Sequence, residues 1–151
     1  MELRFRVFAH ISKPVHEVFE AVADPDKLSC YFTTGGAVGR LEEGKTVTWD
    51  FHDFPGTFPV HVIEVVPDER IVLEWQANEP DADYNVTVTM TFKPVDGEPE
   101  RTLVEIAEEG WRDTEAALKG SYGNCMGWSQ MLAALKAWVE YDINLRDGMY
   151  K

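Results

Sequence analysis

From Trp128 to Asp147 the sequence contains neither Gly nor Pro, and Trp128, Met131, Leu132, Leu135, Trp138 and Val139 recur at three- and four-residue steps. That spacing predicts a long amphipathic helix. A stripe of this length needs an apolar surface of matching length to bury against, which narrows the folds open to the chain.

The rest of the chain supplies such a surface as strands. Tyr84, Val86, Val88, Met90 and Phe92 fall on one parity, and Asn85, Thr87, Thr89 and Thr91 on the other. This is the period-two pattern of a strand with one greasy and one wet face. Leu3, Phe5, Val7, Ala9 and Ile11 alternate in the same way. Further strands are expected at Thr46 to Phe51, Thr57 to Val66, Ile71 to Gln76 and Arg101 to Glu108, with a weaker one near Phe32 to Val38. Between them stand turn sequences such as Glu42-Glu43-Gly44, Phe54-Pro55-Gly56, Pro67-Asp68-Glu69, Glu79-Pro80-Asp81 and Asp96-Gly97-Glu98-Pro99. Connections this short favour antiparallel pairing, because parallel neighbours need a crossover of a dozen residues or more.

Two short helices are expected after the first strand. Ser12-Lys13-Pro14 offers a cap and a first-turn proline ahead of Val15, Val18, Phe19 and Val22. Asp24-Pro25-Asp26 repeats the signal ahead of Lys27 to Tyr31. The expected class is α+β: about six or seven antiparallel strands, two short helices after strand one, and one long C-terminal helix.

Composition bounds the function. A chain of 151 residues, 44% of them hydrophobic, suits one domain over residues 1–151 with a sizeable core. Its formal net charge of -13 repels phosphate backbones and anionic membranes, so neither nucleic acid nor a membrane is expected as a partner. The alternating start is unlike a signal peptide, no apolar run approaches a spanning helix, and a cytoplasmic location is expected. Cys30 and Cys125 are too few for a disulfide framework.

Gly39-Arg40-Leu41-Glu42-Glu43-Gly44-Lys45-Thr46 satisfies the phosphate-binding loop pattern letter by letter. That loop needs a helix after it, whereas Thr46 to Phe51 alternates as a strand and Glu42-Glu43 repels an anion. A hairpin turn is the expected structure, and no nucleotide cofactor is expected. His10, His16, His52 and His61 include no metal-binding pair at helical spacing, His52-Asp53 is a lone His-carboxylate pair, and no metal is expected. No nucleophile elbow is present. Trp49, Trp75, Trp111, Trp128 and Trp138 fit either a well-filled core or the wall of a ligand cavity.

Three stretches together resemble the START-like, helix-grip superfamily (SRPBCC), and within it the AHSA-type branch named for the activator of the heat-shock-protein ATPase. They are Ile11 to Phe19 with Asp24-Pro25-Asp26-Lys27-Leu28, Val65 to Trp75, and Gly127 to Lys136 preceded by Thr102 to Ile106 and Glu108 to Trp111. The resemblance implies a curved sheet wrapped on the long helix with a cavity between them. By the family's pattern Trp75, Glu108 and Trp128 face that cavity. Alternation adds Trp49, Phe51 and Met90, and the helix stripe adds Leu132. Family members often carry a Trp after the Asp-Pro of the second short helix, where this chain has Cys30-Tyr31-Phe32.

The resemblance implies binding of a small hydrophobic ligand, lipid-, polyketide- or aromatic-like, with Glu108 as a buried polar group orienting it. If Glu108 is buried near tryptophan, desolvation should raise its pKa. The alternative is a chaperone-associated interaction domain with a stress-response role. A third reading, a polyketide cyclase-like enzyme, would draw on Glu108, His52, His61 and Tyr84, which form no recognisable dyad in sequence. An exposed part of the stripe from Trp138 to Tyr150 could support a homodimer, although a sheet-facing stripe explains it more economically.

Overall fold

The computed structural model describes residues 1–151. In chain order the elements are β1 (Leu3–Ile11), α1 (Val15–Ala23), α2 (Pro25–Leu28), β2 (Gly36–Val38), β3 (Thr46–Phe51), β4 (Phe54–Val66), β5 (Arg70–Gln76), β6 (Asn85–Val95), β7 (Glu98–Trp111) and α3 (Glu115–Tyr141). The seven strands form one curved antiparallel sheet in the order β1-β7-β6-β5-β4-β3-β2. Strands β2 to β7 follow one another as hairpins, and α1 and α2 carry the chain from β1 at one edge to β2 at the other.

The alternation read from the sequence becomes the inner face of the sheet. Val86, Val88, Met90 and Phe92 of β6 are buried, as are Thr102, Val104, Ile106 and Glu108 of β7. Trp128, Met131, Leu132 and Leu135 of α3 close on this face to form the main core. A smaller cluster of Leu3, Ala77, Val86, Trp111 and Ala117 lies under the first turn of α3.

Five local expectations are corrected. Helix α3 begins at Glu115, capped by Thr114, and ends at Tyr141 with Asp142 in the left-handed conformation, instead of running from Trp128 to Asp147. Its first half holds Ala117, Gly120, Ser121 and Asn124, small or polar residues that continue the inward face of Trp128 without registering as an apolar stripe. Gly120 is required there, because a Cβ would lie 2.0 Å from the Asn78 carbonyl oxygen. At the β3–β4 hairpin the turn is His52-Asp53, while Phe54-Pro55-Gly56 belongs to β4 as a bulge between the Phe51–Phe54 and Asp50–Thr57 pairs.

The short helices also differ from expectation. Pro14, not Ser12, occupies the cap of α1 and makes no side-chain cap bond. The Ser12 amide instead donates to the Glu140 carboxylate. In α2 the Asp24 side chain accepts from the Asp26 amide as a true cap, but the helix stops at Leu28 and leaves Tyr31 and Phe32 in the following turn. The weak strand shrinks to three residues, Gly36–Val38. Residues 39 to 45 connect β2 to β3 as a hairpin, so the phosphate-loop pattern is followed by a strand.

Candidate functional site

Alternation along β7 turns Glu108 inward, and the structure leaves its side chain with no solvent exposure. On α3, Asn124 and Trp128 stand four residues apart and therefore share a face, which meets Glu108. Trp128 Nε1 donates to one carboxylate oxygen at 2.9 Å, and Trp75 Nε1 from β5 donates to the same oxygen at 3.2 Å. Asn124 Nδ2 donates to the other at 2.8 Å. Trp111 is near enough to favour the ionised form, yet its indole nitrogen makes no hydrogen bond and is buried without a partner.

All of these donors are neutral, and no lysine or arginine pairs with Glu108. Burial penalises a lone charge more than the three donors and the nearby Trp111 indole favour it, so the carboxyl titrates above its usual range. The same bonds hold the two indoles in place with their N–H groups turned toward Glu108.

Above this floor the aromatic rings form a wall. Phe32 stacks on Trp128 with centroids 5.6 Å apart and meets Phe51 edge-on at 5.1 Å, while Trp75 lies 5.4 Å from Trp128. They border a cavity of about 710 Å³, within the range of small-molecule sites. Phe54, Phe58, Met126 and Met131 extend the lining, and Gln76, Asn78, Glu79 and Asp81 add polar groups from the end of β5 and the loop to β6.

The chain beyond α3 covers one side of this opening. After the left-handed turn at Asp142, Arg146, Met149 and Tyr150 come to the cavity lining. Arg146 makes a two-pronged ion pair with Asp53 in the β3–β4 turn, both bonds at 2.6 Å, and both side chains are buried. The guanidinium also lies 4.6 Å from the Tyr150 ring centroid. Arg146 holds the Asp53 carboxyl below its ordinary range, chiefly through these hydrogen bonds.

Of the residues expected at the site, Phe51, Trp75 and Trp128 line the cavity. Glu108 lies one side chain behind it, bonded to two of the lining tryptophans. Trp49 packs edge-on against Trp75 and is buried behind the wall, its indole nitrogen without a partner in the chain. Met90 and Leu132 do not line the cavity, because both are buried in the main core among other apolar side chains. The sequence reading missed Phe32, Asn124, Asp53 and Arg146. Asn124 carried a signal in its four-residue spacing from Trp128, and Phe32 stood where the family's tryptophan was absent.

The other groups considered for acid-base chemistry do not converge. His52 bonds to Thr34, His61 to Thr46, and Tyr84 to Glu79. No group of three or more His, Cys, Asp or Glu side chains is arranged to hold a metal ion. No helix is long and apolar enough to cross a membrane.

A curved antiparallel sheet gripping one long C-terminal helix defines the helix-grip class. Residues 12–140 match the family described as "Activator of Hsp90 ATPase homolog 1-like protein", and the chain belongs to that AHSA-type family. Solved structures agree on the fold. Protein SSP2350 from Staphylococcus saprophyticus is 23% identical with a TM-score of 0.77, covering 95% of this chain and 96% of that one. The Aha1 dimer from Colwellia psychrerythraea is 18% identical with a TM-score of 0.74, covering 92% and 97%. DynU16, from the dynemicin biosynthetic locus, is 22% identical with a TM-score of 0.78, covering 95% of this chain and 49% of that one. No curated protein gives a significant match.

Proposed function

We propose that the protein binds a small, largely apolar, ring-bearing molecule in the cavity between sheet and α3. The observation that carries this reading is the aromatic wall of Phe32, Phe51, Trp75 and Trp128 beside about 710 Å³. A chain that needed only a core would let these rings fill the space, since interiors pack to crystal density. Here Glu108 anchors Trp75 and Trp128 from behind and keeps the wall in place beside the cavity. The presence of a like-folded protein in a biosynthetic locus supports the same reading by analogy. Two unpaired cysteines suit a reducing, cytoplasmic setting.

Native mass spectrometry of freshly purified protein, followed by a thermal-shift screen of fatty acids, flavonoids and polyketide-like aromatics, tests the proposal. A saturable rise in melting temperature is expected from ring compounds. Gly127 lines the cavity and a Cβ there meets nothing within 4 Å, so Gly127→Leu should fill the space and abolish the shift while the protein stays folded. Stabilisation that persists in Gly127→Leu would place binding elsewhere and reject the proposal.

A second reading, association with a chaperone ATPase or self-association, is favoured by exposed Tyr122 and Met126 on α3, by the family description and by the dimeric neighbour. Sedimentation velocity and a pull-down with a cognate chaperone test it. A monomer that recovers no chaperone removes this reading.

A further inference from the structure

The hydrogen-bond inventory of the cavity says which ligands its walls suit. A buried site recognises a polar ligand group only with donors or acceptors not already spent inside the protein. The indole, guanidinium and two of the amide donors of the lining are engaged within the chain, and only neutral side-chain donors, the Asn78 amide and the Tyr150 hydroxyl, stay without a partner there. The Trp75 and Trp128 indoles and the Asn124 amide point at Glu108, Gln76 Nε2 donates to the Ala82 carbonyl, and both terminal nitrogens of Arg146 are held by Asp53. An anionic head group entering this cavity would lose its hydration and find no free cation on the lining, because Arg146 is the only basic residue there.

Acceptors and negative charge remain. Glu79 and Asp81 both line the opening, and with Asp53 they set three carboxylates against the single guanidinium of Arg146. Acid still outweighs base when Lys151 is counted, whose ammonium lies 5.5 Å from the Phe54 ring centroid. The indole and phenyl rings, their N–H groups directed elsewhere, offer π surface to whatever enters. Electron-rich faces beside uncompensated carboxylates complement a cation that is itself flat or cyclic.

We propose that the cavity selects a ring-bearing organic cation, of the aromatic-amine class, over neutral and anionic molecules of the same shape. This rests on the cavity-binding reading above and sharpens it. The charge selection arises from Glu79 and Asp81 at the opening and from the aromatic wall within.

Isothermal titration calorimetry at low salt with three tricyclic probes tests it: 9-aminoacridine, protonated at neutral pH, the neutral 9-anthracenemethanol, and the anionic 9-anthracenecarboxylate. The cation should bind roughly tenfold more tightly than the neutral probe, as expected for one charge near partly exposed carboxylates, and the anion more weakly than either. Glu79→Gln with Asp81→Asn should bring cation and neutral probe to within about twofold. Glu98→Gln with Glu100→Gln, which removes the same charge from exposed positions off the lining, should leave the gap unchanged and so exclude attraction by net charge alone.

Gly127→Leu should abolish binding of the cation, and undiminished binding there would mean attachment to the outer surface and overturn the proposal. Equal binding of all three probes would overturn the charge selection while leaving the cavity reading intact. Failure of all three, together with an empty thermal-shift screen, would instead remove the cavity reading itself.

Discussion

The cavity has a buried carboxylate at its floor and another at its mouth, and they titrate in opposite directions. Glu108 accepts only from neutral donors, so burial dominates and its pKa rises. Asp53 is also buried but meets a guanidinium with both oxygens, and its pKa falls. Burial alone therefore does not decide the charge state of a carboxyl group; the charge of its partner does. The floor orients aromatic rings through uncharged donors, while the mouth ties a segment without regular secondary structure to a hairpin turn through an ion pair.

Breaking the mouth should have the largest effect. Arg146→Met strands Asp53 and should lower stability by about 3 kcal/mol, the low end for a broken buried pair because the tail can lift and rehydrate the carboxylate. The acid side of the stability profile sharpens this test. Since the Asp53 pKa is lower folded than unfolded, the pair contributes above the ordinary value of 3.8, and that contribution fades as pH falls through the folded pKa. Urea unfolding from pH 2 to 7 should show this acid-side loss in the parent and a flatter curve in Arg146→Met. Equal slopes would mean that Asp53 is not held down by Arg146.

The floor should respond with the opposite sign. For Glu108 the folded pKa exceeds the unfolded one, so the folded state holds more protons from about pH 4.5 up to the raised value. Stability should fall with rising pH across that window, by at most about 1.4 kcal/mol per pH unit. Glu108→Gln keeps an acceptor for the two indoles, and Asn124 can turn its carbonyl toward the new amide. The variant should lose the descending limb, becoming more stable than the parent at pH 7. A parent curve without that limb would show that Glu108 ionises normally.

The smallest effect tests the outer edge of the mouth. Tyr150→Ala removes the ring beside Arg146 but leaves the ion pair, and should cost roughly 0.5–1 kcal/mol. The expected signature is faster amide exchange confined to residues 142 to 151. Exchange spreading into α3 would mean that the tail is part of the main cooperative unit.

The two regions differed equally in how far they could be read from the chain. The floor was partly legible: the family resemblance set Glu108 with Trp75 and Trp128 at the cavity, and the four-residue spacing from Trp128 to Asn124 was a signal that went unread. The mouth was not, because Asp53 and Arg146 are 93 residues apart and no local pattern links a turn residue to a cation beyond a helix end. The first half of α3 was missed for a related reason. Ala117, Gly120 and Ser121 are buried by close approach to neighbouring structure, and Gly120 nearly touches the Asn78 backbone, so small size there replaces hydrophobicity as the mark of an inward face.

Periods of two and of three to four residues depend only on neighbours along the chain, and by themselves they determined the strands and the long helix, while the inward direction of Glu108 came from the family resemblance. Tertiary structure decided where α3 starts, which rings border open space and which merely fill core, and which buried carboxylate meets a cation. Those outcomes depend on contacts between segments distant in sequence, where the distance and charge of a partner set the energy.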